Sequence, residues 1–145
     1  MIRILVSGAV IDVATELAMA EKVGAGAVAT FTGLVRADDD VELLELEHYP
    51  GATEATLTSL AEEAIRRWLL LGVTVVHRVG PMRPGERIVF VACSAPHRGA
   101  ALDACAFLID RLKTGAPFWK RETRRGAARW VEARESDDAT SARWA

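Results

Sequence analysis

The sequence predicts an α+β fold, and three observations carry that expectation. The first is the order of its segments, which reads strand, helix, strand, strand, helix, strand, strand, helix, strand, strand. Neighbouring strands with no helix between them pair antiparallel, whereas a doubly wound sheet needs a helix at every crossover. The second is segment 53–70, where Leu57, Leu60, Ala61, Ala64 and Trp68 recur at helical spacing and give the clearest amphipathic helix. The third is segment 41–49, where Leu44, Leu46 and His48 alternate with Glu45 and Glu47. That alternation marks an antiparallel strand with one wet face.

The other elements follow in order. Residues 2–6 are a short apolar run and read as a strand. Residues 11–23 read as a helix with Val13, Leu17 and Ala20 on one face and Gly24 as its stop. Ala18-Met19-Ala20 looks like a signal-peptidase site, but Asp12 and Glu16 interrupt the apolar run such a signal needs, so the segment reads as folded. Residues 27–36, rich in Val, Thr and Phe, read as a buried strand, and 37–40 as an acidic turn. Pro50-Gly51 breaks strand 41–49. Residues 73–79 and 87–94 read as strands joined by a hairpin-like connection, 80–85. Pro96 opens a helix running to about Lys113, with Leu102, Cys105, Ile109 and Leu112 as its expected apolar stripe, and Gly115 and Pro117 end it. Residues 118–122 and 129–133 read as short strands. The tail from Glu135 is polar and expected to be loose, apart from Trp144.

Composition narrows the function. A chain of 145 residues, half of them apolar, suits one domain spanning 1–145. A net charge of -2 gives no general pull toward nucleic acid or an anionic membrane, so neither is expected as a partner. No run approaches a transmembrane helix, and a cytoplasmic protein is expected. Cys93 and Cys105 form no CxxC, and the three histidines show no HxH or HExxH spacing, so no metal and no cofactor is expected. Cys93 alternates with Val91 and Val89, and Cys105 lies on the helix stripe, so both read as buried and inert. His77, alternating with Val75 and Val79, reads as a core histidine.

The chain has fifteen arginines and three lysines, and two of those lysines, Lys113 and Lys120, sit seven residues apart. An arginine-rich coding bias would remove lysine everywhere and does not explain that pair. Lysine can act as base, nucleophile or movable charge, which arginine cannot. Chance placement of two solvated lysines is the competing account. Lys113 also suits a helix C-terminus on electrostatic grounds alone. Period two puts Phe118, Lys120 and Glu122 on one face of their strand and Trp119 and Arg121 on the other. His97 and Arg98 open the third helix, where free N–H groups and the helix dipole favour an anion, although taken alone a solvated helix start is the better account of them. Arg36 closes the strand that begins at Ala27.

Six segments then add a resemblance. They are Thr30-Phe31-Thr32-Gly33-Leu34-Val35-Arg36, Leu46-Glu47-His48-Tyr49-Pro50-Gly51, Val76-His77-Arg78-Val79-Gly80, Ala95-Pro96-His97-Arg98, Leu112-Lys113 through Lys120-Arg121-Glu122, and Trp130-Val131-Glu132-Ala133. In this order and spacing they resemble the large, catalytic subunit of molybdopterin synthase, from about Gly26 onward. The first 25 residues match poorly, and the turn after Arg36 is shorter than in that family.

The resemblance implies an α/β hammerhead with an antiparallel β subdomain. It implies insertion of two sulfurs into cyclic pyranopterin monophosphate, giving the dithiolene of molybdopterin. A small ubiquitin-like partner subunit brings the sulfur as a C-terminal thiocarboxylate, and two large subunits form the central homodimer of a heterotetramer. The catalytic lysines fall on Lys113 and Lys120, and the substrate-binding positions on Leu34, Val35, Arg36, His97, Arg98, Arg121 and Glu122. Arg134 matches an arginine that reaches the site from the neighbouring subunit. Two alternatives stay open at this stage: a non-catalytic module that holds a phosphorylated ligand at His97-Arg98, and a scaffold whose lysines dock an acidic tail.

Overall fold

The computed structural model describes residues 1–37, 40–131, 142 and 144. Three helices and two four-stranded sheets make up the described chain. In order they are β1 (Ile2–Ser7), α1 (Val13–Glu21), β2 (Ala27–Leu34), β3 (Val41–His48), α2 (Ala52–Trp68), β4 (Gly72–Arg78), β5 (Gly80–Met82), β6 (Arg87–Ala95), α3 (Arg98–Gly115), β7 (Phe118–Arg124) and β8 (Ala127–Val131).

The first sheet has the order β1-β4-β6-β2. It is mixed, because β1 runs parallel to β4 while β4, β6 and β2 pair antiparallel. Helices cover both faces. On one side Leu57, Ala61 and Ala64 of α2 and Ala104, Phe107 and Leu108 of α3 pack against Val73, Val75, Val91 and Cys93. On the other, Ile11 and Ala20 pack against Val76, Phe90 and Ala92. The second sheet, β5-β3-β7-β8, is antiparallel throughout. Its buried face sets Leu44, Leu46 and Met82 against Val35. The α+β expectation holds, with the second sheet as the antiparallel subdomain.

The N-terminal segment is folded. The Asp12 carboxylate accepts from the Thr15 N–H at 3.1 Å and caps α1. Both nitrogens of the Arg3 fork that face Glu16 donate to it, at 2.7 and 2.8 Å, which ties β1 to α1. Among the described residues no helix is long and apolar enough to cross a membrane.

The structure corrects the sequence reading in four places. Residues 80–82 are a strand, β5, which adds to β3 instead of serving only as a hairpin connection. The consecutive strands β2 and β3 do not pair with each other. β2 takes the edge of β6, and β3 pairs with β7, while Val35, just past β2, tucks its side chain under the second sheet. One member of the expected α3 stripe lies outside it: Leu102 is 61% exposed, whereas Cys105 is buried and Ile109 and Leu112 pack against the core as expected, beside the buried Ala101, Ala104, Phe107 and Leu108. Small alanines bring this helix close to the sheet, and a search for large apolar residues overlooks them. Finally, β8 starts at Ala127, because Arg125 and Gly126 both take positive φ (51° and 79°) and turn the chain tightly after β7.

Trp144 is docked. Its indole N–H donates to Asp110 at 2.5 Å, its carbonyl accepts from Arg67 and Arg111, and its ring meets Trp68 and Phe107 edge-on.

Candidate active site

Helix α3 places Lys113 in its last turn, and the register of the second sheet places Lys120. Lys120 pairs with Leu46, Phe118 with His48, and Glu122 with Leu44, so all three β7 residues share the face of the sheet that carries Leu44 and Leu46. Period two had put those three residues together. Both lysines are exposed, and they flank the short junction between α3 and β7, whose Phe118 stacks on the buried His77 ring.

Arg121 lies on the opposite face, paired with Glu45 and Trp130. There Tyr49 and Trp119 meet edge-on at 6.3 Å, and Trp119 and Trp130 at 6.5 Å. Together with Glu47 and His48 these aromatics line an open cleft of about 310 Å³. Glu122 stays with Lys120, and its carboxylate accepts from Arg124 at 2.7 Å.

The remaining positions divide by exposure. Leu34 ends β2 and is 55% exposed, and Arg36 is exposed after it. Val35 between them is buried at 5%. Its N–H donates to Glu86 and its carbonyl accepts from Gly85, both at 2.9 Å, so side chain and backbone are already committed to the fold. His97 is the N-cap of α3 in extended conformation, with no side-chain cap bond, and Arg98 is the first helical residue. Both are exposed. The chain before them is fixed by a close approach: a Cβ on Gly26 would come within 2.2 Å of the Pro96 carbonyl oxygen. Arg134 lies outside the described residues, as do Glu132, Ala133 and the middle of the turn after Arg36.

Thus one end of α3 presents Lys113, a short junction away from the strand that carries Lys120, and the other presents His97 and Arg98 with free helix N–H groups. The lysine end suits an anion that reacts, and the histidine end suits a phosphate that is held. Among the described residues no group of three or more His, Cys, Asp or Glu is placed to hold a metal ion. The cysteines face each other in the core, and contact with Cys105 and burial push the Cys93 thiol up, away from the thiolate that sulfur chemistry needs.

Sequence reasoning placed both residues but missed that they meet: the His77 ring stacks on Phe118. Period two had marked Phe118 as sharing the Lys120 face, but nothing in the order of residues links it to His77.

Comparison with known proteins gives the family and the fold. A family model described as MoaE protein matches residues 6–115. The molybdopterin synthase catalytic subunit of Escherichia coli (strain K12) is 52% identical over 129 residues, covering 87% of this chain and 86% of that protein. A solved structure, the molybdopterin biosynthesis MoaE protein from Burkholderia ambifaria MC40-6, superposes with a TM-score of 0.86 at 49% identity, covering 99% of this chain and 98% of that one. A complex of subunits 1 and 2 of molybdopterin-converting factor from Helicobacter pylori 26695 shares the fold, with a TM-score of 0.73 at 22% identity over 92% of this chain and 91% of that one. The family match starts at residue 6, so the first 25 residues belong to the likeness far more than the sequence reading allowed.

Proposed function

The chain belongs to the molybdopterin synthase catalytic subunit (MoaE) family, and from that membership we propose that it converts cyclic pyranopterin monophosphate to molybdopterin. Two sulfurs are inserted, each delivered as the C-terminal thiocarboxylate of a small ubiquitin-like partner subunit. All 145 residues act as one domain, and two copies form the centre of a heterotetramer. The reaction belongs to the cytoplasm, where Cys93 and Cys105 stay reduced.

The observation that supports this reading is that Lys113, in the last turn of α3, and Lys120, on β7, flank one short junction whose Phe118 stacks on His77. The attacking sulfur is anionic, and charge builds on the oxygens it displaces. Two ammonium groups can steady that charge, and either can supply a proton to a departing oxygen. Neither cysteine has to carry sulfur, which agrees with their burial. The substrate phosphate suits His97, Arg98 and the free N–H groups at the start of α3. Arg36, Leu34, Arg121, Glu122 and Arg134 complete the binding set in this reading. Val35 contributes the wall on which Arg36 is mounted.

The test is reconstitution. The chain is mixed with thiocarboxylated partner and cyclic pyranopterin monophosphate, and the dithiolene product is measured together with loss of thiocarboxylate. Product with two thiocarboxylates consumed per pterin is expected. Partner binding with no product would leave only a scaffold, and pterin binding without partner binding would leave only a ligand-holding module.

A further inference from the structure

His77 ends the buried face of β4 that also carries Val73 and Val75. The residue is 9% exposed, and its ring stacks on Phe118, with centroids 4.0 Å apart and planes at 22°. Nδ1 lies 2.8 Å from the Arg78 carbonyl oxygen. A carbonyl only accepts, so Nδ1 carries the proton and the ring orientation is fixed. Phe118 also faces His48 across the β3–β7 ladder, with ring centroids at 6.5 Å. His48 in turn has Nδ1 3.7 Å from the Glu54 carboxylate of α2. The His77, Phe118 and His48 rings therefore join the first sheet to the second.

This row of rings stands at the junction that sets the lysine spacing. Only Ala116 and Pro117 separate the end of α3 from the start of β7. Phe118 is five residues after Lys113 and two before Lys120. Where Phe118 seats therefore decides how far apart the two ammonium groups stand. Like charges held in one site repel, so the junction must be fixed by something that adds no charge of its own. A buried neutral ring meets that need. Burial holds His77 neutral, with its pKa down to about 4. The Arg78 bond opposes that shift, while Lys113, His48 and Lys120 reinforce it.

We infer that His77 is a positioning residue: stacked on Phe118 and tethered to the Arg78 carbonyl, it locks the α3–β7 junction and so sets the geometry of the Lys113–Lys120 pair. The inference rests on the lysine assignment made under the proposed function, so its test has a readout that needs no turnover.

Reductive methylation with carbon-13 labels the three lysines without removing their charge. Lys22, at the C-cap of α1, serves as the internal control. In His77→Ala the signals of Lys113 and Lys120 should move while that of Lys22 stays. His77→Phe, which keeps a flat ring on Phe118, should bring them back. In single-turnover transfer, His77→Ala should slow the step by roughly tenfold to a hundredfold, as expected of a small misplacement of reacting groups. Partner affinity and KM for the pterin should hold, and His77→Phe should recover most of the rate. Val73→Ala, buried on the same face of β4, supplies a destabilised control that keeps its rate. Should His77→Ala fail to fold, His77→Leu fills the space without a stacking ring and is expected to behave as His77→Ala would. Unmoved lysine signals in the alanine or leucine variant, or an equal rate loss in Val73→Ala, would reduce His77 to ordinary core. If the signals move as expected but the wild-type chain transfers no sulfur, the positioning role stands and the assigned reaction fails.

Discussion

His97 caps the start of the same unbroken helix that carries Lys113 in its last turn. They are sixteen positions apart, which spans about 24 Å along the axis and turns the two side chains about 160° apart. A pyranopterin phosphate is far shorter than that. If both residues serve one substrate, they come from two chains, and the site straddles a two-fold interface. Inactive Lys113→Ala mixed with inactive Arg98→Ala should then regain about a quarter of wild-type activity, because half of the exchanged dimers hold one intact site. The measurement is dithiolene formation after demonstrated subunit exchange. No recovery would put the whole site within one chain.

His77 also makes stability depend on pH. In the folded chain burial lowers its pKa to about 4, and unfolded it titrates near about 6.5. Between those values the unfolded chain binds a proton that the folded chain refuses. Stability from this group is therefore full above about pH 6.5 and falls by up to about 3 kcal/mol as the pH drops toward 4. His77→Phe should lose less over that window. Urea unfolding of both proteins at about pH 7 and about pH 4.5 checks this, and parallel losses would contradict it.

The cysteines are packing residues in this account. Cys93→Ala with Cys105→Ala should keep sulfur transfer near wild type, at a cost of about 1–3 kcal/mol in stability. Transfer rate and thermal unfolding together decide it. A persulfide on either residue that proved necessary for turnover would overturn delivery by the partner.

Trp144 is docked on α2 and α3 through Asp110, Arg67, Arg111, Trp68 and Phe107. Trp144→Ala should lower stability by about 1–3 kcal/mol, seen as an earlier thermal transition. An unchanged transition would mean that the indole adds nothing in solution.

Much of this was legible in the order of residues, because local physics decides it. Leu57, Ala61 and Ala64 announce α2, and alternation in β3 and β7 put Leu44 and Leu46, and Phe118, Lys120 and Glu122, on faces the register bears out. What escaped depends on contacts distant in sequence. Gly80–Met82 is a strand only because β3 offers it an edge. On α3 the buried Ala101 and Ala104 take positions that a search for large apolar residues passes over, and Leu102 is left outside. The pairing of His77 with Phe118 joins residues 41 positions apart on different sheets, which no local pattern announces. The lysine pair was visible by composition alone, but the stacking of His77 on the junction between the two lysines was not.

The central claim is that Lys113 and Lys120 perform the transfer. The most direct measurement is the single-turnover rate of dithiolene formation by Lys113→Ala with thiocarboxylated partner at saturation. Lys113 is exposed at a helix end, so the variant should fold and bind partner normally. Its rate should fall by about 10²–10⁴-fold, the range for losing an acid–base or charge-stabilising group. Lys120→Ala should also be impaired. Near-normal transfer by Lys113→Ala would contradict the account.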